Sequence, residues 1–312
     1  MKSGAAHHFP PLVFRNGKKI LWNRIEKKPL ANRPEERVRL RFIDYLTLEC
    51  GWPSSRIGSE QTIADRDGTP RLRADLICFD KSFKPSLLIE CKAESIPLNQ
   101  KTAEQIALYN RHVHAPHLCI TNGINDFWFE TGNGGIRTLA RPPLETGAAK
   151  PAAGLDYWVA RGFAGRNALK HNGTDFAEIL RNFWSGDGFL KVRYLDIGHA
   201  TSELQFDHYY KVTDIDNDVR IAVTFMAGHT GDTYLTAIYN HCGTNKALLF
   251  INLDSVKGQR TDNAVLVSGS RQCRLDLRGK IPAAIAMAQG KSPGGETENL
   301  PEILLSIFRQ DV

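Results

Sequence analysis

The pattern of hydrophobic and polar residues predicts a helix near the start of the chain. Apolar positions recur close to the 3.6-residue helical period between Pro34 and Gly51, and a proline suits the first turn of a helix. Gly51 and Pro53 are typical residues to end it. The apolar positions of this helix are Val38, Phe42, Ile43, Leu46 and Leu48.

Strand-like runs and one further helix follow in the same part of the chain. Two apolar runs flank the turn residues 80–85, which predicts a hairpin with a longer loop. The expected elements are strands over 72–79 and 86–92, a helix over 99–112, and strands over 118–121 and 126–130. This order of helix, hairpin, helix and strand predicts a compact α/β unit.

A different pattern begins after residues 131–155, which are rich in glycine, proline and alanine and predict a linker or a long surface loop. From 189 to 277, apolar and polar residues alternate with a period of two, which predicts an antiparallel β domain, either a sandwich or a barrel. Helices are expected over 174–184, 281–289 and 300–309. The predicted division is a first domain at 1–135, a linker at 136–155 and a mainly antiparallel β domain of unknown role at 156–312.

Composition and charge narrow the class of protein. The chain has 312 residues, 42% hydrophobic and 24% charged, so a globular protein with a sizeable core is expected. Without an apolar run long enough for a membrane span or a secretory signal, a cytoplasmic protein with no membrane partner is expected. Residues 1–150 carry 23 basic and 16 acidic side chains, whereas residues 151–312 carry 17 and 18. The basic surplus of the first half suits a polyanionic partner.

Two neighbouring predicted strands carry charged groups that suit phosphodiester chemistry. Asp75 lies within an apolar strand, and Glu90 and Lys92 end the next strand, where alternate residues project to the same face. If Asp75 faces the same side, two carboxylates and an ammonium converge, which is costly unless a cation binds there. Carboxylate oxygens, a backbone carbonyl and waters suit Mg²⁺, which neutralises charge that develops on a phosphate.

Five blocks in this order resemble a known family. They are RPEERVR in the first helix, RADLICFD and LLIECKAE in the hairpin, the helix with Gln105 and Tyr109, and ITNG at 120–123. Asp75 followed by Glu90-x-Lys92 resembles the PD-(D/E)xK nuclease superfamily, with Ala74 where the superfamily's name has proline. The five blocks together resemble more closely the N-terminal nuclease domain of type I restriction enzyme R subunits, over about residues 15–135.

The resemblance implies a fold, an activity and a cofactor. The implied fold is restriction-endonuclease-like α/β, with a mixed sheet flanked by helices. The implied activity is that of a metal-dependent endonuclease, which hydrolyses DNA phosphodiester bonds in restriction or anti-phage defence. The implied metal ligands are Asp75, Glu90 and the backbone carbonyl of Cys91. Mg²⁺ is the expected cofactor, and Mn²⁺ is expected to substitute for it.

The resemblance also implies roles for residues around the metal ligands. Lys92 is the implied catalytic lysine, and Gln105 on the following helix lies beside the site. The helical acid is Glu35 or Glu36, with a narrow preference for Glu35, and both also suit the first turn of a helix. Contacts to nucleic acid are expected from Arg37, Arg39, Arg41, Arg73 and Tyr109.

Other functions and several partners stay open at this point. A non-catalytic nucleic-acid-binding module of a larger complex would keep the same fold, and an RNA-directed nuclease would use the same active-site residues. The sequence has no Gly-x-x-x-x-Gly-Lys-Ser/Thr motif, so no ATP-driven motor is expected within it. A homodimer would supply the two active sites that a double-strand cut needs, and the β domain would bind an activator or a recognition partner.

Overall fold

The computed structural model describes residues 1–16, 18–64, 70–132, 135–143, 153–171, 173–184, 192–257, 263–277 and 300–311. Contacts divide the chain into two compact units, of which the first holds residues 1–15 and 19–151 and the second holds residues 16–18 and 152–312. In the described part of the chain, no helix combines the length and the apolar character needed to cross a membrane.

The chain up to residue 143 forms a small sheet, a larger sheet and two long helices. The small sheet contains β1 (Leu12–Arg15), β2 (Lys18–Asn23) and β3 (Lys28–Leu30). The helices are α1 (Pro34–Leu48) and α2 (Gln100–Val113), and short 3-10 helices lie at Gly4–His7 and Ser54–Arg56. The larger sheet has six strands in this order: β4 (Ile57–Ala64), β5 (Pro70–Phe79), β6 (Pro85–Cys91), β7 (His117–Thr121), β8 (Asp126–Gly132) and β9 (Gly135–Leu139).

The larger sheet is buried between the two helices. Its neighbouring strands are antiparallel except β6 and β7, which are parallel and are connected through α2. On β6, Leu87 and Ile89 pack in the core with α1, whereas Leu88 between them packs in the core with α2. Because successive side chains of a strand point to opposite faces, α1 and α2 cover opposite sides of the sheet. The predicted mixed sheet flanked by helices is confirmed.

Three parts of this architecture were not predicted: the small sheet, β4 and β9. The hairpin predicted from residues 72–92 is formed by β5 and β6, and α1 and α2 lie where helices were expected. The linker was predicted to begin at residue 136, but residues 135–139 form the edge strand β9 and pair with β8. The glycines that suggested a linker include Gly132 and Gly135, which pair with each other at the ends of β8 and β9. Residues 144–152 of the predicted linker lie outside the described residues.

The second unit contains an antiparallel sheet with helices on one face. Phe176 and Phe183 on α5 pack against Phe225 on the sheet, and Phe308 on α7 stacks on Tyr239. The helices are α3 (Leu155–Val159), α4 (Ala168–His171), α5 (Gly173–Phe183), α6 (Leu253–Lys257) and α7 (Leu300–Asp311). The seven strands follow in chain order: β10 (Val192–Leu195), β11 (His208–Asp214), β12 (Val219–Ala227), β13 (Thr233–His241), β14 (Thr244–Asn252), β15 (Ala264–Ser268) and β16 (Arg271–Leu275).

The prediction of an antiparallel β domain is confirmed, but the prediction of a sandwich or a barrel is wrong for the described strands. They form one open sheet in chain order, in which β10 and β16 are the two edges. The face that a second sheet would cover is covered by α5 and α7 instead. The helix predicted over 281–289 lies outside the described residues, and α7 lies where the last helix was expected.

Asn99 caps the N-terminus of α2, the helix on which Gln105 lies. Its side-chain oxygen accepts a hydrogen bond from the Thr102 N–H at 3.2 Å. Asn99→Ala is expected to lower the free energy of unfolding of the first unit by about 1 kcal/mol, measured by urea denaturation. Asn99→Ser keeps an acceptor and is expected to retain most of this stability. Equal losses in both variants would contradict a capping role.

Candidate active site

Two buried carboxylates lie side by side on β5 and β6. The register of this pair places Leu76 opposite Ile89, so the next positions along it, Asp75 and Glu90, also stand opposite each other. The side chain of Asp75 is 16% exposed and that of Glu90 is 5% exposed. Burial raises the pKa of both groups, and the charge of Glu90 adds to the rise at Asp75, whose pKa reaches about 7.

Three donors hold these carboxylates in place. Lys92 Nζ donates to Glu90 Oε1 at 2.6 Å, and Gln105 Nε2 on α2 donates to the same oxygen at 2.8 Å. Asp75 Oδ2 accepts a hydrogen bond from the Cys91 N–H at 2.7 Å. Burial lowers the pKa of Lys92, but the hydrogen bond and the charge of Glu90 outweigh this effect and raise the pKa above its ordinary value. The ammonium of Lys92 is therefore charged at neutral pH.

The two acids in the first turn of α1 occupy different environments. Glu35 is exposed, and its charge contributes to raising the pKa of Asp75 and of Glu90. Glu36 forms an ion pair with Arg39 one turn further along the helix. Its Oε2 atom is buried, with no hydrogen-bond partner among the described residues. Of the two acids, Glu35 is thus the one whose charge raises the pKa of the carboxylate pair, whereas Glu36 is paired with Arg39.

A buried arginine and a third acid adjoin the pair. The side chain of Arg39 is 2% exposed, and its Nη1 lies 3.2 Å from Glu60 Oε1 and 3.7 Å from Asp75 Oδ1. Glu60 lies on β4, and the register of β4 with β5 places it opposite Asp75. Glu60 was not predicted as a site residue, because the polar stretch GSEQ gives β4 no alternating pattern. Only the apolar residues Ile57 and Ile63 near its ends indicate a strand.

Two of the arginines expected to contact nucleic acid, Arg39 and Arg41, are buried and bound to other groups of the protein. Arg41 forms an ion pair with Glu94, and its Nε donates to the carbonyl of Ala5 at 3.2 Å. Its Nη2 donates to the carbonyl of Gly123 at 3.3 Å. Arg41 therefore connects α1 to the N-terminal segment and to the loop after β7 through these hydrogen bonds.

The other three residues expected to contact nucleic acid reach the surface. The side chain of Arg73 is 65% exposed, with its Nη2 3.1 Å from Glu60 Oε1. Arg37 is partly buried and donates to Asn32 Oδ1 at 2.9 Å. Tyr109 is partly buried against the core under α2, and its hydroxyl accepts a hydrogen bond from Gln105 Nε2 at 3.0 Å.

The donor set fits a hard divalent cation. Asp75 and Glu90 offer carboxylate oxygens, and their raised pKa values indicate negative charge that burial leaves poorly compensated. The described residues contain no group of three or more His, Cys, Asp or Glu that could hold a metal ion. A cation at the pair would therefore also need a backbone carbonyl, such as that of Cys91, and waters. Mg²⁺ commonly binds proteins through one or two carboxylates and keeps several waters.

Residues 34–141 match the family model described as Type I restriction enzyme R protein N terminus (HSDR_N). The predicted resemblance to the N-terminal domain of type I restriction enzyme R subunits is confirmed for this segment. It includes α1, the β5–β6 hairpin, α2 and every candidate active-site residue. Residues 15–33, which the sequence analysis included in the resemblance, and the whole second unit lie outside the match.

Other comparisons add little to this match. No curated protein matches the chain. Among solved structures, a chain of "cryoEM structure DrdV-DNA complex" is similar at 17% sequence identity and a TM-score of 0.26. The similarity covers 49% of this chain and 14% of that chain, so this protein corresponds to only a small part of its length.

Proposed function

We propose that this protein is a metal-dependent endonuclease that hydrolyses DNA phosphodiester bonds and acts in restriction or anti-phage defence. The observation that carries the proposal is the convergence of Asp75, Glu90 and Lys92, with Glu90 buried, Asp75 largely buried and the ammonium 2.6 Å from Glu90. This arrangement lies within the segment that matches the restriction enzyme R protein N terminus. The first unit would have the restriction-endonuclease-like fold that this family implies.

In this proposal Asp75, Glu90 and the carbonyl of Cys91 would hold Mg²⁺, or Mn²⁺ in its place. When bound, the divalent cation supplies charge neutralisation at the scissile phosphate and lowers the pKa of a water. Gln105 keeps the Glu90 carboxylate oriented through the hydrogen bond to Oε1. The carboxylates are thus fixed before substrate arrives, which avoids reorganisation during the reaction.

Lys92 and Glu35 act on the reacting groups. The charged ammonium of Lys92 orients the attacking water and stabilises the negative charge that develops on the phosphate oxygens. Of the two helical acids, Glu35 is the one we assign to the support of the attacking water, since it is exposed and its charge acts on the pair. The oxygen of the attacking water bonds to phosphorus while the water gives up one proton to solvent. The bond from phosphorus to one bridging oxygen breaks, and that oxygen takes a proton from solvent as it leaves.

Arg73 is the cation we propose to contact a DNA phosphate beside the site. It lies two residues from Asp75 and is mostly exposed. Arg73→Gln is expected to weaken DNA binding and to reduce the slope of log affinity against log salt by about 1, measured by fluorescence anisotropy at several salt concentrations. The matched control is Arg137→Gln, which removes another exposed arginine paired with a glutamate on the same sheet. An equal effect of both variants would contradict a specific contact by Arg73.

The substrate class is tested by giving the full chain labelled duplex DNA, single-stranded DNA and RNA of one sequence. Each is incubated with Mg²⁺, Mn²⁺ or EDTA. We expect fragments of duplex DNA in both metals and none in EDTA. Binding without fragments in any lane would favour the non-catalytic module, and fragments from RNA alone would favour an RNA-directed nuclease. In the same buffers, linear rather than nicked product from supercoiled plasmid would support the expected homodimer with two active sites.

A further inference from the structure

Three carboxylates form a row across neighbouring strands at the candidate site. Glu60 on β4 stands opposite Asp75 on β5, and Asp75 stands opposite Glu90 on β6. Asp75 and Glu90 are explained by the proposed metal site, but Glu60 is not, since its carboxylate binds cationic side chains. Arg39 lies 3.2 Å from Glu60 and 3.7 Å from Asp75 and is thus shared between the metal site and this third acid.

The backbone of Glu60 is strained. Its φ is +52°, in the left-handed region that non-glycine residues seldom adopt, and it lies within a strand. Such a conformation is retained only where surrounding interactions over-determine it, and it is found most often at functional sites. Those interactions are ion pairs from Glu60 to Arg39, to Arg73 at 3.1 Å and to Lys28 at 3.3 Å. The protein therefore holds the Glu60 carboxylate beside Arg39 in spite of the backbone strain.

Arg39 is a buried cation that the nearby acids hold by charge more than by directed hydrogen bonds. Its Nε and Nη1 atoms are buried and have no hydrogen-bond partner among the described residues. Nη1 faces Glu60 and Asp75 at ion-pair distances, whereas Nη2 is bound to Glu36. The position of Nη1 between the two acids is therefore sensitive to the charge on each, because ion-pair energies are large where water is excluded.

We infer that Arg39 and Glu60 are a positioning pair that controls how strongly Asp75 holds the divalent cation, an inference that rests on the proposed function. Glu60 draws the guanidinium of Arg39 away from Asp75 Oδ1. Asp75 Oδ2 is bound to the Cys91 N–H, so Oδ1 is the oxygen left for a cation. Without the charge of Glu60, Arg39 pairs with Asp75 and competes with the cation for this oxygen.

The test measures Mn²⁺ binding directly, by isothermal titration calorimetry on the full chain without DNA. Glu60→Gln is expected to weaken binding about tenfold, a modest effect for one charge at these distances. Glu130→Gln is the matched control, because Glu130 is also a strand glutamate paired with an arginine in the same sheet, and it is expected to bind Mn²⁺ like the wild type. Circular dichroism establishes that each variant is folded.

A double-mutant cycle separates positioning from a simple field effect of Glu60 on the metal. If Glu60 acts through Arg39, Glu60→Gln has little further effect in an Arg39→Gln background. An unchanged tenfold loss in that background would overturn the inference. Where Arg39→Gln fails to fold, Arg39→Lys takes its place, since a lysine ammonium cannot bridge the acids as the planar guanidinium does.

The outcomes distinguish this inference from the proposed function. If the wild type binds no Mn²⁺, the proposed metal site fails and the inference falls with it. If the wild type binds Mn²⁺ and Glu60→Gln binds it equally well, the inference alone is overturned and the proposed function stands.

Discussion

Asp75→Asn is expected to stabilise the metal-free protein while it removes the response to metal. The wild-type carboxylate is buried opposite Glu90 and near Glu35, and its pKa rises from 3.8 to about 7. The full rise corresponds to roughly 4 kcal/mol, and because Glu90 shares the repulsion we expect a gain of about 2 kcal/mol at pH 8. In EDTA, calorimetry should show the melting transition of the first unit move up by roughly 5 °C.

The pH dependence of this effect has a definite sign. Between pH 4 and pH 7 the folded protein keeps a proton on Asp75 that the unfolded chain has lost, so wild-type stability falls as the pH rises through this window. Above about pH 7 the Asp75 carboxyl is ionised in both the folded and the unfolded protein, and the destabilisation caused by its buried charge is complete. The difference in melting temperature between Asp75→Asn and the wild type should therefore be small at pH 4 and reach its maximum near pH 8.

A control and a metal titration complete this prediction. Glu104→Gln neutralises an exposed carboxylate on α2 and is expected to leave the melting temperature unchanged. Added Mg²⁺ should raise the melting temperature of the wild type, because a ligand that binds only the folded state stabilises it, but not that of Asp75→Asn. A variant that melts below the wild type in EDTA at pH 8 would show that the ionised Asp75 carboxylate does not destabilise the folded protein.

Lys92→Ala is expected to lower the rate of DNA cleavage by about 10²–10³-fold, the usual cost of removing one group that stabilises transition-state charge. Initial rates on a labelled duplex with Mg²⁺ measure this loss. The affinity for DNA, measured in EDTA, should stay within about twofold of the wild type, because a group acting in the transition state adds little to ground-state binding. Lys101→Ala removes an exposed lysine of α2 and serves as the control. Cleavage by Lys92→Ala at the wild-type rate would exclude the lysine from the chemistry.

The core of the candidate site could be predicted because local rules determine it. Residues i and i+2 of a strand share a face, so the contact between Glu90 and Lys92 follows from their spacing. The hairpin brings Asp75 opposite Glu90, and its two apolar runs and turn were evident in the sequence. Gln105 was expected only from the family resemblance, and α2 places its side-chain amide against Glu90.

The arginines of α1 could not be assigned in this way. An arginine between apolar positions has the same local pattern whether its charge meets a phosphate or an acid inside the protein. Arg39 and Arg41 are buried because Glu60 and Glu94 lie on elements distant in sequence. Glu60 could not be predicted either, because β4 lacks the alternation of apolar and polar residues that indicates a half-buried strand.

The sheet of the second unit could also be predicted only in part from the sequence. Alternating residues predicted antiparallel strands, and the seven strands pair as neighbours in chain order. What covers the sheet depends on α5 and α7, which precede and follow it in the sequence. Strand periodicity alone could not show that these helices, rather than a second sheet, pack against Phe225 and Tyr239.

The most direct test of the central claim is a time course of supercoiled plasmid with the purified full chain in Mg²⁺, beside the same reaction in EDTA and a Glu90→Gln reaction in Mg²⁺. Glu90 is the buried carboxylate that both Lys92 and Gln105 contact, so its neutralisation should disable the site without exposing new surface. We expect nicked or linear plasmid from the wild type in Mg²⁺ and intact plasmid in the other two reactions. Equal cutting by Glu90→Gln, or cutting that persists in EDTA, would contradict it.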